Sequence, residues 1–556
     1  MKSRLRSIAL VAALAIGLSA CGGSGGSEST PPASGNPPAE NPPPAELFSL
    51  TLSSDKLVLL QGASGSVQAT VTRASGFNDA VTIELSGLPD GVSAQPSVVN
   101  AGASTVEIVL TAQASAPHSL PTTSSATGRA SGQTASKPLT VTVRGLPGVV
   151  DTSFAGGTVV TPVDIGEDYV NAVAVQADGK VLVAGSSGTV GGTKLSLLRY
   201  QRDGALDTAF GAGGKVLVAL GAAGNDRANA IALQADGKIV VAGSSDQGAS
   251  GLDFALLRFN ADGTPDAGFG NGGKVLTDFG SNSDRAWALL LLPDGSIVVG
   301  GEANTGNTAG GVDFALARYS ANGTPLASFG TQGKVITALK SAAGTDIVRA
   351  LALQTVQGEA RILAVGGDGD FLAARYTDAG ALDGSFASNG KVVGLFNANI
   401  GAAYAVTVLP GGEAVLAGHI GHNFAAVQLT PSGQLDNRFG AANDGRFVLP
   451  VSATNWDEAT AIVRQADGKL ILSGWVYSGN SSAGDFAAVR LQADGRIDAG
   501  FGIAGTTIQP MAAGTKNDLA HAAVLQPDER IPSVRAIIAG EANGTNHDVA
   551  LTRLWL

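Results

Sequence analysis

Aspartate and arginine recur in this chain at matched places where the two could act together. An aspartate stands ahead of a β-like run at Asp168, Asp226, Asp284, Asp346, Asp457 and Asp518, and an arginine stands inside a later run at Arg199, Arg258, Arg318, Arg375, Arg490 and Arg553. A ring of carboxylates could hold metal ions, but each aspartate has an arginine to compete for it. Where the aspartate becomes Gly401 the arginine becomes Gln428, so the two types are lost together. The expectation is a set of structural links, Asp168 to Arg199, Asp226 to Arg258 and Asp284 to Arg318, and no metal site.

Aromatic residues offer a second chemistry. Trp456, Trp475 and Tyr477 gather in the sixth repeat, and exposed rings beside a depression stack on sugars or anchor a protein partner. His419 and His422 border the same place, yet two imidazoles without a third ligand do not make a metal centre. Gly270-Asn-Gly-Gly-Lys looks like a phosphate loop, but Gly211-Ala-Gly-Gly-Lys and Gly330-Thr-Gln-Gly-Lys mark it as a recurring turn with no helix behind it. Neither a strand-to-helix nucleophile elbow nor an HExxH helix is present, so no catalytic residue and no cofactor is assigned. Two carboxylates on separate loops leave no spacing signature, so an extracytoplasmic hydrolase or lyase in the same depression is the alternative to a binding role.

The elements that must position these residues are short strands. A unit such as GKVLVAL, NAIALQADGKIVV and DFALLRF predicts strands over 215–220, 229–233, 238–243 and 254–259, joined by Asp-Gly and Gly-rich turns. The phenylalanine closing each unit falls at Phe154, Phe210, Phe269, Phe329, Phe386, Phe439 and Phe501, a period of about 60 residues. Seven four-stranded units arranged radially would remove exposed sheet edges, which is the β-propeller solution. The ends fit closure: 150–154 carries the element that elsewhere follows the last strand of a unit, and 549–556 is a last strand lacking it. Loops between the third and fourth strands vary in length, leaving a notch over the fourth and fifth units beside Trp456.

These units resemble the delta-60 repeat, a bacterial β-propeller family. Ala174-Val-Gln-Ala-Asp-Gly-Lys-Val-Leu-Val-Ala-Gly, Leu206-Asp-Thr-Ala-Phe-Gly and Phe314-Ala-Leu-Ala-Arg-Tyr carry the likeness over some 400 residues. The resemblance implies a seven-bladed fold over 147–556 and no particular activity. Quinone-dependent propeller dehydrogenases carry many repeat-linked tryptophans, and this chain has four.

Upstream, 1–20 reads as a signal peptide: basic Met1–Arg6, an apolar run to Gly17, then Leu18-Ser19-Ala20-Cys21. That ending resembles the lipobox of bacterial lipoproteins, which implies cleavage before Cys21, lipidation there and a membrane anchor. Gly22 rather than Asp after the cysteine implies the outer membrane. Residues 21–46, rich in Gly, Ser and Pro, form a tether reaching on the order of 75 Å at about 3 Å per residue. Over 47–146, period-two runs predict a small β-sandwich, and Leu85-Ser-Gly-Leu-Pro-Asp-Gly-Val-Ser resembles a turn of bacterial Ig-like modules. The whole is all-β, an Ig-like module ahead of a propeller. A net charge of −11 without a basic stripe excludes nucleic acid, and one cysteine excludes an internal disulfide. The partners expected are a membrane, through the lipid, and a protein or glycan.

Overall fold

The computed structural model describes residues 46–556 except 120, 222–223, 249–250, 281, 305–310, 341–344, 453–455, 478–483, 512–516, 529–532 and 544–545. The signal sequence, Cys21 and the tether up to residue 45 lie outside the described residues. Phe48–Leu556 is one compact unit, and among the described residues it is all strand and turn.

Two sheets make up its first part. One orders Phe48–Leu52, Ser64–Arg73, Thr105–Ala112 and Val92–Ala94; the other orders Lys56–Leu60, Gln133–Arg144, Thr122–Ala130, Val81–Ser86 and Ser97–Val99. Alternate residues such as Phe48, Leu50, Val67, Ala69 and Val71 are buried while their neighbours are not, as one-sided strands require.

Seven further four-stranded sheets follow, antiparallel and in simple meander order. The second runs Asp226–Leu233, Ile239–Asp246, Leu252–Phe259 and Lys274–Thr277, each strand paired with the next. The strand expected to begin each unit, such as Lys215–Val218, is in fact the outer edge of the preceding sheet, where it pairs with Gly192–Tyr200. The last sheet, Asp518–Asp528, Ser533–Asn543 and His547–Trp555, obtains its edge from the start of the series. Thr158–Thr161 pairs with Val549–Thr552, and Val150 bridges Leu554.

Sheets stack face on face. Leu182, Ala184, Leu195 and Leu197 of the first pack on Ala228, Ile239, Val241 and Leu257 of the second, and Val183, Leu198 and Tyr200 pack on Ile537, Val549 and Leu551 of the last. Each fully buried aliphatic side chain contributes about 1.5–3 kcal/mol, so these layers outweigh any single polar contact in holding the assembly. The first strand of every sheet lies on the inside of this closed series, and those strands position the site.

Candidate functional site

The recurring aspartates and arginines do not bond to one another. Asp168, Asp226 and Asp284 each accept an amide hydrogen bond at 2.7 Å, from Val163, Leu220 and Phe279, so each closes the loop leading into its own strand. Arg199 instead donates Nε to Asp207 at 2.7 Å, and Arg258 does the same to Asp266. Arg318, in the unit where Leu326 replaces that aspartate, donates to Asp294 at 2.9 Å and Asp378 at 2.7 Å. The expected links Asp168 to Arg199, Asp226 to Arg258 and Asp284 to Arg318 are thus overturned, and register gives the reason. Asp226 lies opposite Ser245 while Arg258 lies opposite Val240, five residues along the same strand, or roughly 16 Å. In the fifth sheet Gln428 keeps the bond, donating to Asp436 at 2.9 Å. Arg199, Arg258, Arg375, Arg490 and Arg553 also lie over the phenylalanine of the adjoining turn, Arg258 at 4.7 Å from Phe269. The apparent phosphate loop is this turn: Asn271 donates its amide to Lys274 and Gly273 donates its amide to Phe269.

The innermost strands carry a bulge in every sheet, three residues past the aspartate position. Pairing skips from Val170 to Ala172, Ala228 to Ala230, Ala286 to Ala288, Val348 to Ala350, Ala403 to Ala405, Ala459 to Ala461 and Ala520 to Ala522. A glycine on the facing strand permits it: a Cβ on Gly243 would lie 1.8 Å from the Arg227 carbonyl oxygen, and one on Gly474 would lie 1.8 Å from that of Glu458. The skipped residues are Asn171, Asn229, Trp287, Arg349, Tyr404, Thr460 and His521. Three of them stitch sheet to sheet, with Asn171 donating to Ala228 O at 2.8 Å, Asn229 to Ala286 O at 2.7 Å and Thr460 to Ala520 O at 2.8 Å.

These seven residues, with Glu458 and Trp475, line one cavity of about 250 Å³. Arg349 holds its guanidinium between two rings, 4.8 Å from the centroid of Trp287 and 5.5 Å from that of Tyr404. Tyr404 stacks in turn on His419 at 5.7 Å. Trp456 donates its indole N–H to Glu458 at 2.7 Å and lies against His422 at 4.0 Å. His521 Nε2 meets Glu541 Oε1 at 2.9 Å, with Glu541 buried.

Four segments, 176–210, 234–269, 292–329 and 465–501, match the family described as a domain of unknown function (DUF5122) beta-propeller. The chain is a β-propeller repeat protein. No curated protein matches it significantly. Among solved structures, a protein of unknown function from Porphyromonas gingivalis W83 is 11% identical, aligning over 41% of this chain and 97% of that one with a TM-score of 0.15. A DUF4784 family protein from Bacteroides caccae ATCC 43185 is 7% identical over 73% of this chain and 96% of that one, at 0.24.

At the axis of the propeller the charges are unevenly answered. Burial raises the pKa of Glu458 and pushes the Tyr404 phenol up to about 12. Burial, helped by His422, brings His419 down to about 4, so it is a neutral ring at pH 7, and its 3.7 Å approach to Glu458 is no ion pair. Burial also opposes charge on His521, but the Glu541 carboxylate outweighs it and the imidazole's pKa is raised.

The residues singled out from sequence fall into different roles. Trp475 is only 9% exposed and belongs to the cavity wall rather than to a surface platform, with Tyr477 packed on it at 5.1 Å. Trp456, 40% exposed, is the one open ring of the set. His419 is buried behind Tyr404, and no group of three ligating side chains among the described residues includes it or His422. Sequence reasoning missed Trp287, Arg349, Tyr404 and His521. The third residue past the aspartate takes six residue types over seven units, but so does the first, so variation in the sequence alone does not single the position out.

Proposed function

We propose that this protein is a binding module of the bacterial cell envelope, lipid-anchored at Cys21 and held off the outer membrane by its tether. An Ig-like spacer leads to a seven-bladed propeller whose axial cavity and adjoining loops receive a protein or glycan. The observation that carries the binding role is the split among the bulge residues. Asn171, Asn229 and Thr460 donate to a neighbouring blade's backbone, whereas Trp287, Arg349, Tyr404 and His521 sit in the same place without that role and gather in one cavity. Side chains at that position that do not hold blade to blade are free to serve a ligand.

A glycan array probed with the full chain in detergent, alongside the Trp456→Ala and Trp475→Ala variants, tests the reading. Retention of glycan by the wild type and its loss in Trp475→Ala is the expected result. Capture unchanged in both variants would remove this face as the site.

A further inference from the structure

Arg349 is the one arginine lining the central cavity among the described residues, and it is held unlike those of the turns. Arg199, Arg258, Arg375 and Arg490 each donate Nε to an aspartate. Arg349 donates to no acceptor among the described residues; its Nε is buried and unpartnered, and so is the indole N–H of Trp287 beside it. Of the carboxylates nearby, Glu458 accepts the Trp456 indole N–H and feels the Arg349 charge without a hydrogen bond to it, and Glu541 is held by His521. A cation pinned between two ring faces, with a second idle donor alongside, is a fork awaiting planar oxygen acceptors.

We propose that the axial cavity binds a small organic carboxylate, its oxygens taken by the Arg349 guanidinium and the Trp287 indole N–H. This rests on the reading of the cavity as the binding site. Glu458 lines the same cavity and disfavours a second negative charge there, which selects a single carboxylate over phosphate or a dicarboxylate. A cavity of about 250 Å³ holds a molecule no larger than a monosaccharide or a small amino acid. Glu458 offers an acceptor for that ligand's hydroxyl or ammonium hydrogens, and Tyr404 and Trp475 supply apolar contact. A uronic acid and an amino acid share this chemistry.

Calorimetric titration of the full chain in detergent with D-glucuronate, L-alanine, D-glucose and inorganic phosphate tests it. Saturable binding of glucuronate or alanine, weakened about tenfold or more by Arg349→Lys and to a lesser degree by Trp287→Phe, is the expected result. Glucuronate alone identifies an acidic sugar as the source, and alanine alone an amino acid. Phosphate binding tighter than either, or binding of neither carboxylate, overturns the proposal. Glucose binding lost in Trp475→Ala but indifferent to Arg349→Lys overturns the carboxylate while leaving the site. Carboxylate binding indifferent to both variants overturns both readings. Trp287→Phe removes one N–H from a retained ring, so it remains decisive if Arg349→Lys does not fold.

Discussion

Arg258 donates Nε to Asp266 at 2.7 Å, and its partner is the aspartate eight residues on, in the turn that ends on Phe269. The same bond recurs from Arg375 to Asp383 and from Arg490 to Asp498, so a strand and the turn after it are tied within each unit. Both partners are largely removed from solvent, and breaking one side of such a pair leaves an unanswered charge. Arg258→Met is expected to cost about 3 kcal/mol in chemical denaturation, with strong coupling to Asp266→Asn and none to Asp226→Asn in double-mutant cycles. Coupling to Asp226 would contradict the register.

Asp266 also gives this tie a pH dependence. Lys238 and Arg258 hold its carboxyl down at about 2, below an ordinary aspartate. A depressed folded pKa means the contribution is complete above the unfolded value near 3.8 and is lost as pH falls toward 2. Thermal melts of wild type and Asp266→Asn should therefore converge on acidification over that interval, and a gap that persists at pH 2 would count against the tie.

The opposite sign holds at the junction of the second and third blades. Burial, with Asp278 and Asp253 nearby, raises Asp284 to about 6. The folded state then holds its proton more tightly than the unfolded chain, so the penalty is absent below about pH 3.8 and grows as pH rises through 6. Asp253→Asn removes one like charge and should raise the melting temperature at pH 7 but leave it unchanged at pH 3.5. A lowered melting temperature at pH 7 would show that Asp253 is needed as a charge.

Gly243 faces the bulge that presents Asn229. A methyl there would meet the Arg227 carbonyl at 1.8 Å, so Gly243→Ala should cost about 3 kcal/mol. Gly474→Ala, facing Thr460 in the sixth blade, should do the same and also disturb the wall formed by Glu458 and Trp475. Ordinary stability in either variant would mean that the bulge tolerates a side chain opposite it.

Closure rests on the last strand. His547–Trp555 pairs with both Ser533–Asn543 and Thr158–Thr161, and Arg553 donates to Asp151 at 2.9 Å. Deleting the last eight residues exposes two sheet edges at once and should lower the melting temperature sharply. A truncated chain as stable as the whole would refute the closed series.

The architecture was largely legible in the residues because repetition averages out local ambiguity. Short apolar strands, Asp-Gly turns and buried phenylalanines recur in register, and complementary ends at 150–154 and 549–556 announce their own pairing. Contacts within a unit were not legible in the same way. Gly401 and Gln428 depart from the pattern together, yet the positions they occupy stand five residues apart along the facing strand, so joint loss in one repeat does not mark a shared bond. Of the aromatic candidates, Trp475 was expected as an exposed ring beside a depression, and only burial shows it lining a cavity.

By itself, then, the chain's sequence determined the all-β repeat and its closure, because short apolar runs and turn chemistry act over a few residues and are written in them. The axial site was decided by tertiary structure. Asn171, Asn229, Trp287, Arg349, Tyr404, Thr460 and His521 stand tens to hundreds of residues apart, and what makes them neighbours is a bulge repeated around an axis. That geometry comes from glycines on a different strand and from the closing of the series on itself.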